Sequence, residues 1–294
     1  MTSKISVGPS SVVKGLVIAA MAASVFTLSP APAKAGGGTL PNDNLNATLW
    51  TQQSIEFKGN ALSVYAVASL RLDQALADKS WTASPEQTGD YQNKPPAVIL
   101  DIDETVLDNS LYQAWMVLNN TEFGSKTWGP FVNSVSSLPI PGSLAFVKNA
   151  LSKGVKVFYI SNRSGDLEEA TRKNLAKYGY PLDKGEDTVL LKNEKPEWKS
   201  SKKGVRREVV GENYRILLLL GDNLGDFTDS YKGSQADIDA FYAANADKFG
   251  REWMVISNPT YGSWESRAFG FNYKLSSEEK RQAKEDQLKA WDGK

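Results

Sequence analysis

A chain of 294 residues can bury a large core, in one elaborated domain or in two. Its 34 basic and 34 acidic residues balance, so no net field favours nucleic acid or an anionic membrane surface. With neither His nor Cys anywhere, thiolate and histidine nucleophiles, Ser-His-Asp triads and zinc sites of imidazole or thiolate are excluded, and any metal must sit on oxygen ligands, which favours magnesium, calcium or manganese.

At the amino terminus, Lys4 and Lys14 precede a small-apolar run from Gly15 to about Leu28, and Ala33-Lys34-Ala35 supplies a small-x-small pattern before Gly36. This reads as a secretory signal over residues 1–35, cleaved after Ala35. No Cys follows the cleavage point to carry lipid, so the expected product is secreted or periplasmic, with no membrane anchor. Residues 36–294 form the mature domain, with a catalytic core over about 95–258.

After a flexible lead-in, Asp43 or Asn44 starts a helical stretch to about Ala77, with a break expected near Gly59 and with Trp50, Phe57, Leu62, Tyr65, Leu70 and Leu76 as apolar positions. Trp81 to Lys94 is a polar loop, and Ala97 to Leu100 is a short apolar run of the kind found in buried parallel strands. An aromatic-rich segment follows to Val135, then a helix from about Leu144 to Lys153. Further strands are expected at Val155–Ile160, Thr188–Leu191, Arg215–Leu220 and Trp253–Ser257. Helices lie between them, one opened by Asp166 and Glu169 at capping-box spacing, one over about Lys202–Val210, and one over about Gln235–Phe249. Ser276-x-x-Glu279 opens a terminal helix. Strand and helix thus alternate from Ala97 to Ser257, which predicts an α/β fold: a Rossmann-like, doubly wound parallel sheet, with an added helical layer from the N- and C-terminal segments.

Four strand ends carry polar clusters: Asp101 and Asp103 with Thr105, then Ser161 and Asn162, then lysines after Leu191, then Asp222 and Asp226. In a parallel sheet these ends share one edge, the edge where open α/β sheets bind ligands. Taken singly, each cluster reads equally well as a turn or a cap; their order and shared edge set them apart. Four carboxylates, a hydroxyl and an ammonium with no imidazole suit phosphoryl transfer: carboxylates hold a metal, the metal and Lys neutralise phosphate oxygens, and a carboxylate attacks.

Asp101-Ile-Asp-Glu-Thr105, Ile160-Ser-Asn-Arg163, a Lys and Gly221-Asp-Asn-Leu-Gly-Asp-Phe227 resemble the four motifs of the haloacid dehalogenase superfamily. Leu107-Asp-Asn-Ser110 and the four-Asp pattern resemble its secreted class C acid phosphatases, over most of the mature chain. The resemblance implies Mg²⁺-dependent hydrolysis of phosphate monoesters, often nucleoside 5'-monophosphates. It makes Asp101 the nucleophile, Asp103 the general acid and base, and Thr105 the residue that orients Asp103. Ser161 and Asn162 bind the phosphoryl group, and Lys202 pairs with its charge, with Lys203 a close competitor. Asp101, the backbone carbonyl of Asp103, Asp222 and, in support, Asp226 hold the metal, while Trp128 and Tyr261 stack on the substrate's base. Two other readings share the site: a phosphotransferase that passes the phosphoryl group to an alcohol, and a non-catalytic metal-binding or storage relative. The partner expected is a small phosphate monoester and not a nucleic acid polymer; self-association into a homo-oligomer stays open.

Overall fold

The computed structural model describes residues 41–293, so the predicted export signal at 1–35 lies outside the described residues. In chain order the strands are β1 (Pro96–Leu100), β2 (Leu107–Asp108), β3 (Leu138–Pro139), β4 (Lys156–Ser164), β5 (Val189–Lys192), β6 (Arg215–Gly221) and β7 (Trp253–Val255). The helices are α1 (Leu45–Gln53), α2 (Ile55–Ala77), α3 (Ser110–Leu118), α4 (Ser125–Asn133), α5 (Ser143–Ser152), α6 (Glu168–Lys177), α7 (Gly204–Asn213), α8 (Leu224–Phe227), α9 (Gln235–Asn245), α10 (Ser263–Ala268) and α11 (Ser277–Glu285).

Five strands form one sheet in the order β5-β4-β1-β6-β7, with every pairing parallel. β2 and β3 make a separate antiparallel pair that brackets the helical insertion after β1. The chain winds outward from β1 through β4 to β5, then returns to the other side of β1 for β6 and β7. The reversal falls between β1 and β6, and the carboxyl ends at such a reversal form the natural ligand crevice of this architecture.

Alternation along the strands buries both faces. Val98, Leu100, Val157, Tyr159, Leu218 and Leu220 belong to one core with Phe57, Tyr65 and Leu72 of α2 and Phe146 and Val147 of α5. Ala97, Ile99, Phe158, Ile160, Ile216 and Leu219 belong to the second, with Trp198, Val210, Phe227 and Trp253. A strand buried on both sides has no polar alternation to show, which is why these strands are continuous apolar runs in the sequence.

The helical break expected near Gly59 falls instead at Ser54. Gly59 lies inside α2, whereas Ser54 is extended and its side chain accepts a hydrogen bond from the Phe57 amide, capping α2. The buried face of α2 is Phe57, Ala61, Tyr65, Ala68, Leu72 and Ala75; Leu62 and Leu70, expected in the core, are 53% and 67% exposed. Alanines are selected there because the helix lies close on the sheet and on α5. That contact makes α2 part of a helical layer lying on the sheet itself. The terminal segments do meet elsewhere, where Asp43 pairs with Arg281 and Lys284 of α11. The box expected at Asp166 and Glu169 does not form. β4 runs on to Ser164, a 3₁₀ turn at Gly165–Leu167 follows, and Glu169 pairs with Lys173.

Truncating a buried side chain costs lost transfer energy and leaves a cavity, so Leu72→Ala should destabilise by about 2–5 kcal/mol, whereas Leu70→Ala should stay within about 0.5 kcal/mol of the parent. Urea denaturation of the two variants checks this; equal losses would mean that the buried face of α2 is misplaced.

Candidate active site

Asp101 is the first residue beyond β1, and its amide donates to Leu220 O at 2.9 Å, one step past the register that joins β1 to β6. Asp222 is the first residue beyond β6, so the two carboxylates emerge side by side at the topological reversal. Asp226 lies on α8, one turn further on, and Gly221 lets it approach. A Cβ at Gly221 would stand 2.3 Å from the Asp226 side chain, so only glycine fits. Asp226 Oδ2 accepts from the Asn223 amide at 2.9 Å. One oxygen from each of Asp101, Asp222 and Asp226 lies within 4.8 Å of the others.

The cation among them is Lys203. It precedes α7, is buried, and its ammonium contacts Asp101 Oδ1 and stands 2.7 Å from Asp226 Oδ1. Lys202, the residue expected in this role, is exposed. The reason is local. Asp229 Oδ1 accepts from the amides of both Lys203 and Gly204, at 3.1 Å each, and this fixes the start of α7 so that Lys203 points inward. A Cβ at Gly204 would come within 2.6 Å of Asp229, so glycine is required beside the lysine.

Three carboxylates against one ammonium leave excess negative charge in a buried space. Burial drives the Asp101 pKa up to about 7; Lys203 opposes the rise and the charge of Asp226 adds to it. Burial, with Asp226 and Asp101 beside it, likewise holds Asp222 well above the ordinary carboxylate range. Burial alone would lower the Lys203 pKa, but the two carboxylates outweigh it and raise it. A cage of hard oxygen donors with surplus negative charge fits a divalent cation of the magnesium, manganese or calcium type. A second carboxylate group, Glu168, Asp187 and Glu194, differs in that Arg172 already bridges Glu168 and Asp187.

Asp103 stands apart from the trio. Its Oδ1 accepts from Arg163 Nε at 2.9 Å and from Asn109 Nδ2 at 2.8 Å, with Arg163 Nη2 also 2.8 Å away. Its Oδ2 accepts from Ser161 Oγ at 3.2 Å. Thr105, expected to orient Asp103, instead directs its hydroxyl to Asp222 Oδ1 at 3.4 Å, while Tyr65 donates to the Thr105 carbonyl at 2.7 Å. Asn162 donates to Ser201 O at 3.0 Å and accepts from the buried Arg206 at 2.7 Å; Arg206 also contacts the Ser161 carbonyl.

Glu104 occupies the left-handed region at φ 59°, an unusual state for a non-glycine residue that costs about 1 kcal/mol or more. It is held there by the Asn109 amide, which donates to Glu104 Oε1 at 2.8 Å, and by the Tyr261 hydroxyl, which donates to Oε2. Burial, together with the charge of Asp103, pushes Glu104 up to about 8 against those hydrogen bonds. Tyr261 thus reaches the first-strand loop from the far end of the domain. Trp128 is half-buried, 5.2 Å from Tyr112 and 5.6 Å from Phe131, and the Arg163 guanidinium lies 5.6 Å over its ring.

Because Asp101 and Asp222 hold protons more tightly in the folded than in the unfolded state, where an Asp titrates near 3.9, the metal-free fold binds extra protons from about pH 4 to pH 7. Stability of the chelated protein should therefore fall as pH rises through that window, and a saturating divalent cation should flatten the fall. Calorimetric Tm from pH 5 to 8, with and without metal, measures it; a chelated Tm that rises across the window would contradict the site's electrostatics.

A match to the acid phosphatases of HAD superfamily subfamily IIIB spans residues 38–264. The class C acid phosphatase from Bacillus anthracis is 35% identical over 85% of this chain and 98% of its own, with a TM-score of 0.73. Its tungstate-bound structure gives 37% identity and a TM-score of 0.74. Among curated proteins, the stem 28 kDa and stem 31 kDa glycoproteins of Glycine max are each 27% identical over 139 residues, 46% of this chain. The chain spans about half the length of these relatives, 54% and 47% respectively. Among the described residues no helix is long and apolar enough to cross a membrane. With its carboxylates and buried lysine gathered at the reversal of a parallel sheet, this chain belongs to the acid phosphatase subfamily IIIB of the HAD superfamily.

Proposed function

We propose that this protein is an exported, Mg²⁺-dependent acid phosphatase that hydrolyses phosphate monoesters, nucleoside 5'-monophosphates among them, through an aspartyl phosphate on Asp101. The observation that carries the reading is the buried Lys203 ammonium bridging Asp101 and Asp226 beside Asp222. The similar Bacillus anthracis class C acid phosphatase binds tungstate, a tetrahedral oxyanion, which supports a phosphate-like ligand for this chain.

Asp101 attacks phosphorus, forming a bond from its carboxylate oxygen as the ester P–O bond breaks and its electron pair stays on the leaving oxygen. Asp103 delivers a proton to that oxygen, then takes one from the water that cleaves the aspartyl phosphate. With no His or Cys in the chain, a carboxyl is the only proton donor of suitable strength at the site, and this gives the reaction its acid character. Lys203, the Ser161 hydroxyl and the second N–H of the Asn162 amide hold the phosphoryl oxygens. Asp101, Asp222, Asp226 and the backbone carbonyl of Asp103 would hold Mg²⁺, which when bound neutralises phosphoryl charge. Thr105 keeps the Asp222 carboxylate turned toward that cage, and Trp128 and Tyr261 flank the organic part of the substrate.

Asp101→Asn should abolish turnover of p-nitrophenyl phosphate in a folded protein, since a carboxamide neither attacks phosphorus nor holds a hard cation well. Lys203→Gln should lose at least about a hundredfold in kcat/KM, while Lys202→Gln stays within about twofold, because only the first removes a buried charge from the site. Parent-like rates for Lys203→Gln would return the role to Lys202.

Chelation should silence the enzyme, and Mg²⁺ or another hard divalent ion should restore it. Undiminished hydrolysis by protein shown by elemental analysis to be metal-free would refute the metal assignment.

A further inference from the structure

Asp103 has a cation of its own. The Arg163 guanidinium donates through Nε to one carboxylate oxygen, Oδ1, with Nη2 in ion-pair contact at 2.8 Å, and Asn109 Nδ2 donates to the same atom. Among the described residues Oδ2 receives only the Ser161 hydroxyl, at 3.2 Å. Arg163 is itself immobilised: it is buried, donates to Thr171 Oγ1 at 3.2 Å, to Asn109 Oδ1 at 3.3 Å and to Ser137 Oγ at 3.4 Å, and lies over Trp128. Asn109 is fixed in turn, accepting from Ser137 Oγ at 2.6 Å.

We infer that Arg163, with Asn109 beside it, is the positioning residue of the general acid, clamping Asp103 by Oδ1 so that Oδ2 is the oxygen that exchanges the proton with the leaving group. The inference rests on the reading of Asp103 as the acid in phosphoryl transfer. It assigns to Arg163 the orienting role expected of Thr105, whose hydroxyl faces Asp222. The step balances simply. The proton on Asp103 Oδ2 passes to the leaving oxygen as the P–O bond breaks, the electron pair of that bond stays on the oxygen, and Asp101 forms the new bond to phosphorus. Arg163 gives up no proton. It restricts the carboxyl to one rotation, and a planar guanidinium anchored by Thr171, Asn109 and Ser137 does this better than a flexible ammonium. Its contact with Trp128 carries the clamp to the platform proposed to flank the substrate's organic part, so the acid is fixed on the side where the leaving group sits.

An acid matters most for leaving groups that leave poorly. General acid catalysis is worth on the order of 10²–10⁴-fold, and a good leaving group such as p-nitrophenolate needs little of it. The experiment is the ratio of kcat/KM for p-nitrophenyl phosphate to that for an alkyl phosphate, in the full-length metal-loaded enzyme. The ratio does not depend on the fraction of molecules folded, so partial unfolding of a variant cannot mimic the effect. Arg163→Gln and Arg163→Lys should each raise the ratio at least about tenfold, with Asp103→Asn raising it further. Arg163→Lys keeps the charge, so it reads the loss of the anchored planar guanidinium. Thr105→Val should leave the ratio within about threefold of the parent whatever it does to the absolute rate, because it acts on Asp222. Unchanged ratios in both Arg163 variants, with Asp103→Asn still raising it, would overturn the clamp and leave the phosphatase reading intact. A parent enzyme that hydrolyses neither ester would overturn the reading and the clamp with it.

Discussion

The buried ammonium of Lys203 is the contact on which the site depends. Burying an ion costs several kcal/mol unless opposite charge and hydrogen bonds replace its water. Asp101 and Asp226 supply that replacement, and each of them needs Lys203 for the same reason. Much of the surrounding structure serves to deliver this one charge. Asp229 holds the first amides of α7, and Gly204 leaves room for it. Arg207 ties α7 back to the Asp226 carbonyl at 3.0 Å and to Glu86 from the loop before β1. Removing the lysine would leave two buried carboxylates facing each other, so the surplus charge that draws in a divalent cation is kept within bounds by a single side chain.

A second, independent charge centre lies on the other side of the β1 end. Arg163 comes from the extension of β4, and its network with Asn109 and Ser137, joined by Asn174 of α6, is cross-linked by hydrogen bonds rather than by carboxylates alone. The two aspartates of the first motif are two residues apart, yet each has its own cation, delivered by a different element. This separation has a chemical consequence. The Asp101 carboxylate sits in the metal-type cage, which suits the proposed nucleophile, while the Asp103 side chain lies outside it, held by neutral donors and one guanidinium. Two carboxylates in one cage would have shared a single environment, and a nucleophile and an acid need different ones.

The loop between these centres is strained where it matters. Glu104 at positive φ turns the chain directly after Asp103, and Tyr261 and Asn109 hold that turn. Tyr261 arrives from beyond β7, and Tyr65 of α2 fixes the Thr105 carbonyl. Segments at both ends of the domain therefore converge on five residues of the first motif.

The sequence by itself determined the sheet and the edge. Apolar runs at Ala97–Leu100, Val155–Ile160, Thr188–Leu191 and Arg215–Leu220 predict parallel strands to within a few residues, because a strand buried on both faces has only one kind of residue to offer. Asp101, Asp222 and Asp226 were legible for the same reason, as polar residues where an apolar strand stops. Tertiary structure decided what depends on direction. Whether Lys202 or Lys203 points inward turns on a helix start set by Asp229, twenty-six positions downstream of Lys203. That Arg163 shares a face with Ser161 follows from β4 running on to Ser164, an extension with no apolar signature to announce it. Leu70, expected in the core, is exposed and Ala68 is buried, because the contact with the sheet selects small side chains over large ones. Spacing along a chain fixes which residues stand near a strand's end; which way a side chain points is set by partners far away in sequence, and those exist only once the chain has folded.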